Sequence, residues 1–230
     1  MKLSRKIRKA VDPASVLSFK RALGRIVHPL PVSRFMSQID QAELKRLWET
    51  YSMPGSRQWQ KYVEAERFLK LNIRRVQDIG LDRMPPQRIL DLGSGAGYFL
   101  FVSRVLGHTG LGVDIDNVPL FREMFELFGL QRIIHRIEKF KPLPETGAQF
   151  DWITAFSVIF AGGGRCPRWG IAEWNYFLQD ATRHLRSGGG IYLDLNPGAD
   201  RSFYSDELRE FFLSQGAVID RRSKLLFPAK

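Results

Sequence analysis

Cysteine, long apolar runs and a secretory start are all scarce or absent in this 230-residue sequence. The one cysteine, Cys166, excludes an intrachain disulfide, which is compatible with a reducing compartment. No apolar run approaches the roughly 18 residues that a membrane span needs. The basic start is not followed by the continuous apolar stretch of about 7–15 residues that is typical of a secretory signal. We therefore expect a cytoplasmic protein that does not span a membrane.

Acidic residues are scarce in the first 34 positions, and this makes the charge of the chain uneven. Asp12 is the one acid there, against nine basic residues, so residues 1–34 carry a net charge of 9 − 1 = +8. The whole chain has 35 basic and 24 acidic residues, which leaves 26 − 23 = +3 for the remainder. The basic character therefore resides in an N-terminal arm, residues 1–34, and the body is nearly neutral.

The basic arm also carries an amphipathic pattern. Four of its apolar side chains recur at helical spacing, namely Val16, Phe19, Leu23 and Ile26. Its lysine and arginine residues lie elsewhere on that helix, which favours contact with a membrane surface. The alternatives are a stripe that packs on the protein's own domain and an arm that grips nucleic acid. We predict peripheral membrane contact through residues 1–34 and regard nucleic acid as the less favoured partner, because the body has no basic face by charge count.

Helical signals dominate residues 35–86. Asp40 followed three residues later by Glu43 is typical of a capping box and predicts a helix start. A second, continuous helix is predicted from about Ser56, where apolar residues recur on one face. Met84–Pro86 then breaks the pattern. These signals predict a helical cap over residues 35–86.

In residues 87–230, short apolar runs alternate with helical patterns, as in βα units around a mostly parallel sheet. The predicted strands are RILDL, GLGVDI, RIIHRI, DWITAF, GIYLDL, AVID and KLLF. The link EKFKPLPETGAQ between the third and fourth strands is too short and proline-rich for a full helix. The fold class that this predicts is α/β, with a doubly wound, mostly parallel, seven-stranded sheet and a helical N-terminal extension.

A glycine-rich turn, Gly93 to Gly97, follows the first strand. Glycine lets the backbone turn sharply and lets a ligand approach closely, and the free N–H groups of the next helix point at whatever binds. A dinucleotide site would read GxGxxG. The turn reads GSGAG instead, with Tyr98 and Phe99 where that pattern needs its third glycine. The spacing therefore argues against NAD.

An acidic residue follows the second strand about 20 residues beyond the turn. A carboxylate at this point can accept hydrogen bonds from both hydroxyls of a ribose. Alternation along the strand favours Asp114 for this role over its rival Asp116. The structural alternative for Asp114 is a helix N-cap or a simple strand-end acid. The pair of features predicts an adenosine-containing ligand.

The runs ILDLGSGAG, GVDI, FDWITAFSVIF and LRSGGGIYLDL together resemble the class I S-adenosylmethionine-dependent methyltransferases, over roughly Arg88 to Leu195. The resemblance implies a Rossmann-like fold, S-adenosylmethionine as cofactor, glycines close to its methionine portion, and Asp114 on its ribose. The cofactor-binding residues that it implies are Asp91, Gly93, Ser94, Gly95, Gly97, Asp114, Ile115, Ile137, Glu138 and Phe156.

Two features depart from the family pattern. Many members carry an aspartate at the end of the third strand that meets the adenine amino group, and here Glu138 would substitute, with Ile137 offering its backbone N–H. Members that methylate adenine in nucleic acids often carry an Asn-Pro-Pro-aromatic motif after the fourth strand. This chain has AFSVIF there.

Methyl transfer depends on aligning donor and acceptor, so a catalytic side chain is optional. If the acceptor is a hydroxyl, Asp194 and Glu173 are weak candidates for a general base, with a strand position and a helix cap as their structural alternatives. The predicted acceptor-binding residues are Ser157, Phe160, Arg165 and Arg168. The two arginines suit an anionic group, unless the loop that carries them is simply solvated.

The sequence thus predicts an S-adenosylmethionine-dependent methyltransferase that acts on a small or lipid-linked, anionic acceptor. It predicts no metal site. Two alternatives stay open: an RNA methyltransferase that uses the basic arm, and a non-catalytic adenosine-ligand binding protein with the same fold.

Overall fold

The computed structural model describes residues 19, 22–158, 160, 168–198, 201–220 and 223–228. Its helices are α1 Val32–Met36, α2 Gln41–Tyr51, α3 Arg57–Gln60, α4 Ala65–Ile79, α5 Tyr98–Val105, α6 Pro119–Leu127, α7 Ile171–Arg183 and α8 Asp206–Ser214, with 3-10 turns at Lys61–Val63 and Leu81–Arg83. Its strands are β1 Arg88–Leu92, β2 Thr109–Asp114, β3 Gln131–Ile134, β4 Phe150–Phe156, β5 Leu185–Asp194, β6 Val218–Asp220 and β7 Lys224–Phe227.

The seven strands form one sheet in the order β3-β2-β1-β4-β5-β7-β6. Strand β2 is parallel to its two neighbours, β1 and β3. Strand β4 is parallel to β5, and β7 is antiparallel to both β5 and β6. The predicted α/β class with a mostly parallel seven-stranded sheet is confirmed. The chain divides into two compact units, one of residues Leu30–Arg136 and one of Ile137–Lys230 together with Met1–Pro29.

The helical region of the Leu30–Arg136 unit begins as the sequence predicts and then departs from it. The Asp40 carboxylate accepts hydrogen bonds from the backbone N–H groups of Ala42 and Glu43, at 2.9 and 3.1 Å, and so caps α2. The single helix predicted from Ser56 is wrong. The chain forms α3 and a 3-10 turn, leaves helical geometry at Glu64 with ψ of 72°, and restarts as α4.

The contact that accompanies this break comes from a distant part of the same unit. The Tyr98 hydroxyl, at the start of α5, donates to the Tyr62 backbone carbonyl at 2.8 Å. That carbonyl lies in the 3-10 turn just before the break. No local pattern encodes a partner 36 residues away, so the apolar spacing alone predicted one helix where there are two.

Two glycines of β2 bring the neighbouring helices close to the strand. A Cβ added at Gly110 would lie 2.5 Å from Leu100 of α5, and one added at Gly112 would lie 2.7 Å from Phe125 of α6. Such distances are well inside van der Waals contact, so these positions depend on the missing side chain. The close packing fixes α5, and with it the turn that precedes this helix.

In the Ile137–Lys230 unit, the connection before β4 has no helix, as predicted. A buried carboxylate holds it instead. Asp180 of α7 accepts a hydrogen bond from the Leu143 backbone N–H at 2.6 Å and also pairs with Arg183. Because the carboxylate is paired and hydrogen-bonded, its burial is compensated.

The described residues of the arm present their apolar side chains to solvent. Residues 22–27 are helical, and Phe19, Leu23 and Ile26 are 68%, 48% and 77% exposed. Packing of these three side chains on the protein's own domain, one of the alternatives weighed above, is therefore wrong. The fourth member, Val16, lies outside the described residues.

No helix in the described part of the chain combines the length and apolar character needed to cross a bilayer. Among the same residues, no group of three or more histidine, cysteine, aspartate or glutamate side chains comes together as a metal site would require.

Candidate functional site

The glycine-rich turn joins β1 to α5, and its backbone adopts conformations that favour glycine. Gly93, Gly95 and Gly97 have φ angles of 66°, 54° and 76°, in the left-handed region. The backbone N–H groups of Gly93 and Ser94 donate to the Val113 carbonyl at 2.7 and 3.2 Å, which ties the turn to β2. The turn is therefore held by the sheet and by the helix that follows it.

Gly95 and Gly97 differ in what surrounds them. A Cβ at Gly97 would lie 2.8 Å from the Phe125 ring and 3.1 Å from Leu130, so this glycine is needed for packing. At Gly95 the nearest atom is in the Phe121 ring, 4.0 Å away. The space beside Gly95 is therefore the side of the turn on which another molecule can approach the backbone.

Asp114 ends β2 and contacts the turn directly. Its Oδ2 accepts a hydrogen bond from the Gly95 N–H at 2.5 Å, and its Oδ1 accepts one from the Ile115 N–H at 2.7 Å. Burial raises the pKa of the Asp114 carboxyl, while these two N–H groups and the charge of Arg132 act in the opposite direction. Each carboxylate oxygen keeps a second lone pair for another donor.

Asp116, the rival for the same role, has a different environment. Its carboxylate pairs with Arg132 at 2.5 Å and lies 3.9 Å from the guanidinium of Arg122. Two arginines therefore engage Asp116, whereas Asp114 accepts from the turn that precedes α5.

Ser94 lies buried in the turn, and its Oγ has no hydrogen-bond partner among the described residues. A Cβ at Gly112 would lie 2.7 Å from this oxygen. Asp91, buried on β1, is paired in register with Gly112. The structure thus brings together, within one unit, most of the residues assigned to the cofactor by resemblance: Asp91, Gly93, Ser94, Gly95, Gly97, Asp114 and Ile115.

Ile137 and Glu138 follow strand β3 at a greater distance than the sequence predicts. Strand β3 ends at Ile134 rather than at Ile137, and Glu138 forms an ion pair with Lys141 at 3.0 Å. His135 follows β3 directly, and its backbone N–H donates to the Asp114 carbonyl at 2.9 Å. No motif marks this backbone contact of His135, and the adenine role of Ile137 and Glu138 stays a prediction.

The end of β4 is strained. Phe156 is its last residue, and Ser157 follows with φ of 59°, in a region that residues other than glycine rarely adopt. The Ser157 N–H donates to the Asp194 carbonyl at 2.8 Å, and the Asn196 side-chain amide donates to the Ser157 carbonyl at 2.5 Å. Asn196 thus holds the strained residue in place.

Phe160 is part of an aromatic cluster. Its ring centroid lies 4.7 Å from that of Trp174, 5.1 Å from Trp169 and 5.2 Å from Phe177. These contacts are packing contacts of the Ile137–Lys230 unit. The predicted acceptor-binding role of Phe160 stays a prediction.

Arg168 contacts the segment that follows β5. Its Nη1 donates to the Ser202 hydroxyl at 2.6 Å, and its guanidinium occupies the space where a Cβ of Gly198 would lie. Its predicted anion contact is not tested by this arrangement. Arg165, the second predicted arginine, lies outside the described residues.

The two weak candidates for a general base lie on α7 and β5. Glu173 accepts a hydrogen bond from the Gly170 N–H at 3.0 Å, which is the capping role weighed as its alternative. Asp194 is the last residue of β5 and is paired in register with Phe156 and Lys224. A role in proton transfer stays a prediction for both.

No protein-family model and no curated protein matches this chain. Among solved structures, it is similar to the ribosomal protein L11 methylase of Lactobacillus delbrueckii subsp. bulgaricus, with 15% identity over 77% of this chain and 80% of that one, and a TM-score of 0.44. The glycopeptide N-methyltransferase MtfA matches with 13% identity over 69% and 88% of the two chains and a TM-score of 0.46.

A third similar structure is SAM-bound CalS10, an amino pentose methyltransferase of Micromonospora echinaspora, with 21% identity and a TM-score of 0.43. The match covers 58% of this chain and about half, 53%, of CalS10. All three are described as methyltransferases or methylases.

Proposed function

We propose that this protein is a cytoplasmic S-adenosylmethionine-dependent methyltransferase. The observation that carries the proposal is the hydrogen bond between the Asp114 carboxylate and the Gly95 N–H, which joins the acidic end of β2 to the open side of the glycine turn. Carboxylate and turn form the two halves of an adenosine-ligand site at the carboxyl ends of parallel strands.

The residues of this site fit S-adenosylmethionine. Asp114 accepts from the ribose hydroxyls, Ile115 packs on adenine, and the backbone of the turn meets the methionine portion. The unpartnered Ser94 Oγ supports this assignment, since a buried hydroxyl in a ligand-binding turn needs a partner. Asp91 helps to hold the methionine amino and carboxylate groups.

The bound cofactor supplies an activated methyl group on a sulfonium. The task of the protein is then to hold the acceptor in line with that group and to exclude water. The strained Ser157, held by Asn196, supports a positioning role for the segment after β4. The capping contact of Glu173 leaves Asp194 as the stronger of the two base candidates.

The acceptor we propose is a small or lipid-linked anionic molecule that the enzyme reaches at a membrane surface. The exposed apolar side chains of Phe19, Leu23 and Ile26, on an arm of charge +8, support this. Anionic lipid attracts the basic residues, and the apolar stripe inserts into the interface.

Calorimetric titration of the purified chain with S-adenosylmethionine, S-adenosylhomocysteine and NAD tests the proposal. We expect both sulfur nucleotides to bind, NAD not to bind, and Asp114→Ala to abolish binding, while Asp116→Ala weakens it much less. Binding of NAD, or of none of the three by a folded sample, overturns the proposal.

The acceptor is tested with methyl-labelled cofactor and fractionated cell material. Label in the anionic-lipid fraction supports the proposed acceptor. Label in RNA, with affinity that falls steeply with salt, favours the RNA alternative. Cofactor binding without transfer to any fraction favours a non-catalytic binding protein.

A further inference from the structure

Arg132 is an unusually buried arginine close to the proposed nucleoside site. It lies on β3, and its side chain is 9% exposed. Its Nη2 pairs with Oδ1 of Asp116 at 2.5 Å, and its guanidinium carbon lies 5.7 Å from the centroid of the Phe125 ring. A buried guanidinium is costly unless a counter-charge and a ring face compensate it. Asp116 and Phe125 therefore hold Arg132 where it is.

The register of the sheet places this guanidinium on the face that carries Asp114. Gly112 is paired with Arg132, and Asp114 is paired with Ile134. Side chains of alternate residues share a face, so Arg132 and Asp114 project from the same side of neighbouring strands, with one residue pair between them. The positive charge of Arg132 lowers the pKa of the Asp114 carboxyl and so opposes the effect of burial.

The guanidinium is only partly satisfied. Its Nη1 is buried and has no hydrogen-bond partner among the described residues, and the same holds for Oγ of Ser94. Both atoms belong to residues that meet at Gly112, through strand pairing for Arg132 and through direct proximity for Ser94. Unpartnered buried polar atoms are rare in folded proteins. Two such atoms, on residues that both adjoin Gly112, support a polar ligand on this side of the sheet.

Building on the proposed function, we infer that Arg132 is a positioning residue for Asp114. Held by Asp116, its charge keeps the half-buried Asp114 carboxylate ionised, so that the carboxylate accepts hydrogen bonds from the ribose hydroxyls. This gives Asp116 a role distinct from that of Asp114: it anchors the arginine and does not touch the ligand.

Several charged or titratable residues lie on the strands and segments next to Asp114. They are Asp91 on β1, Asp116 after β2, Arg122 on α6, Arg132 on β3 and His135 after β3, together with the N–H groups of Gly95 and Ile115. His135 contacts Asp114 through its backbone N–H, which a substitution of the side chain leaves in place. His135→Gln therefore serves as the matched control.

The experiment is titration with S-adenosylhomocysteine between about pH 4.5 and pH 8. For the wild type, we expect affinity to fall on the acidic side as Asp114 becomes protonated. Arg132→Met moves that fall upward by about one pH unit, which is about tenfold weaker binding on the acidic limb, with little change at pH 8. Arg132→Lys, which keeps the charge, and His135→Gln stay close to the wild-type curve.

Different results separate this inference from the proposed function. If Arg132→Met weakens binding equally at every pH, the role of Arg132 is structural and the inference is overturned. If the wild type binds at no pH, the proposed function falls and the inference with it. If Arg132→Met does not fold, Asp116→Asn decides, because loosening the anchor shifts the curve in the same direction by less, and an unshifted curve overturns the inference.

Discussion

The turn from Gly93 to Gly97 with Asp114 and the segment from Ser157 to Arg168 were both assigned to ligand binding from the sequence, but the structure uses them differently. In the first region, the half-buried Asp114 carboxylate accepts a hydrogen bond from the glycine turn, and the Ser94 hydroxyl has no partner among the described residues. In the second, Phe160 packs in an aromatic cluster and Arg168 binds Ser202.

The difference shows which kinds of sequence signal define a role. A glycine at positive φ has one common explanation, a backbone that L side chains do not allow. An aromatic or an arginine has many, since Phe160 can pack on other rings as well as on a ligand and Arg168 can bind a hydroxyl as well as an anion. The motif therefore predicts the conformation of the first region, whereas the roles of Phe160 and Arg168 in the second depend on which residues contact them.

Among the variants that test this comparison, Gly97→Ala is expected to have the largest effect on stability. Gly97 has φ of 76°, and the added Cβ would lie 2.8 Å from the Phe125 ring. Backbone strain and overpacking together are expected to cost about 3 kcal/mol of unfolding free energy. The measurement is urea unfolding of the variant and the wild type.

Gly107→Ala is the matched control for this change. Gly107 also has positive φ, 95°, but nothing lies within 4 Å of a Cβ added there. It is expected to cost only the strain contribution, about 1 kcal/mol. Equal losses in the two variants would mean that the packing between the turn and α6 is not what requires Gly97.

The next largest effect concerns the second region. Phe160→Ala removes a ring from the aromatic cluster with Trp174, Trp169 and Phe177 and is expected to cost about 2 kcal/mol of unfolding free energy. Phe140, which is 51% exposed, is the control, and Phe140→Ala is expected to cost less than about 0.5 kcal/mol. A Phe160→Ala variant as stable as the wild type would restore acceptor binding as the main role of Phe160.

The elements that the sequence predicts best are those with local signals. Strands β1 and β7 have the predicted bounds, and Asp40 caps α2 as its spacing with Glu43 indicates. The contact between Asp114 and Gly95 was also within reach, because strand alternation and the length of the βα unit fix which acid faces the turn.

What the sequence could not predict depends on distant partners. The break at Glu64 accompanies the bond of Tyr98 to the Tyr62 carbonyl, and the role of Arg132 depends on Asp116, 16 residues earlier in the chain. The strain at Ser157 is held by Asn196, 39 residues later. None of these contacts leaves a periodicity or a motif, since each depends on how the strands and turns come together.

A smaller effect on stability is expected at Glu173, which follows the second region. Its contact with the Gly170 N–H predicts that Glu173→Ala costs about 1 kcal/mol of unfolding free energy, whereas Glu173→Gln, which keeps an acceptor, costs less than half of that. Urea unfolding measures both. If Glu173 were instead the general base, Glu173→Gln would abolish methyl transfer at unchanged stability.

The smallest effect lies outside both regions, just before β2, and depends on pH. His108 is buried, its Nδ1 accepts from the Gln87 N–H at 3.0 Å, and its Nε2 lies 3.0 Å from the Leu81 carbonyl. This arrangement needs the neutral ring, with the proton on Nε2. Burial lowers the pKa of His108 below its ordinary value, so folding favours the uncharged form.

A lowered pKa of His108 in the folded state fixes the sign of the pH effect. The unfolded chain binds the proton more readily, so the stabilisation is complete above about pH 6.5 and is lost as pH falls below it toward the folded-state pKa. We expect the urea midpoint of the wild type to drop between pH 7 and pH 5, with a flatter profile for His108→Gln. Parallel profiles would show that titration of His108 does not contribute to the pH dependence of stability.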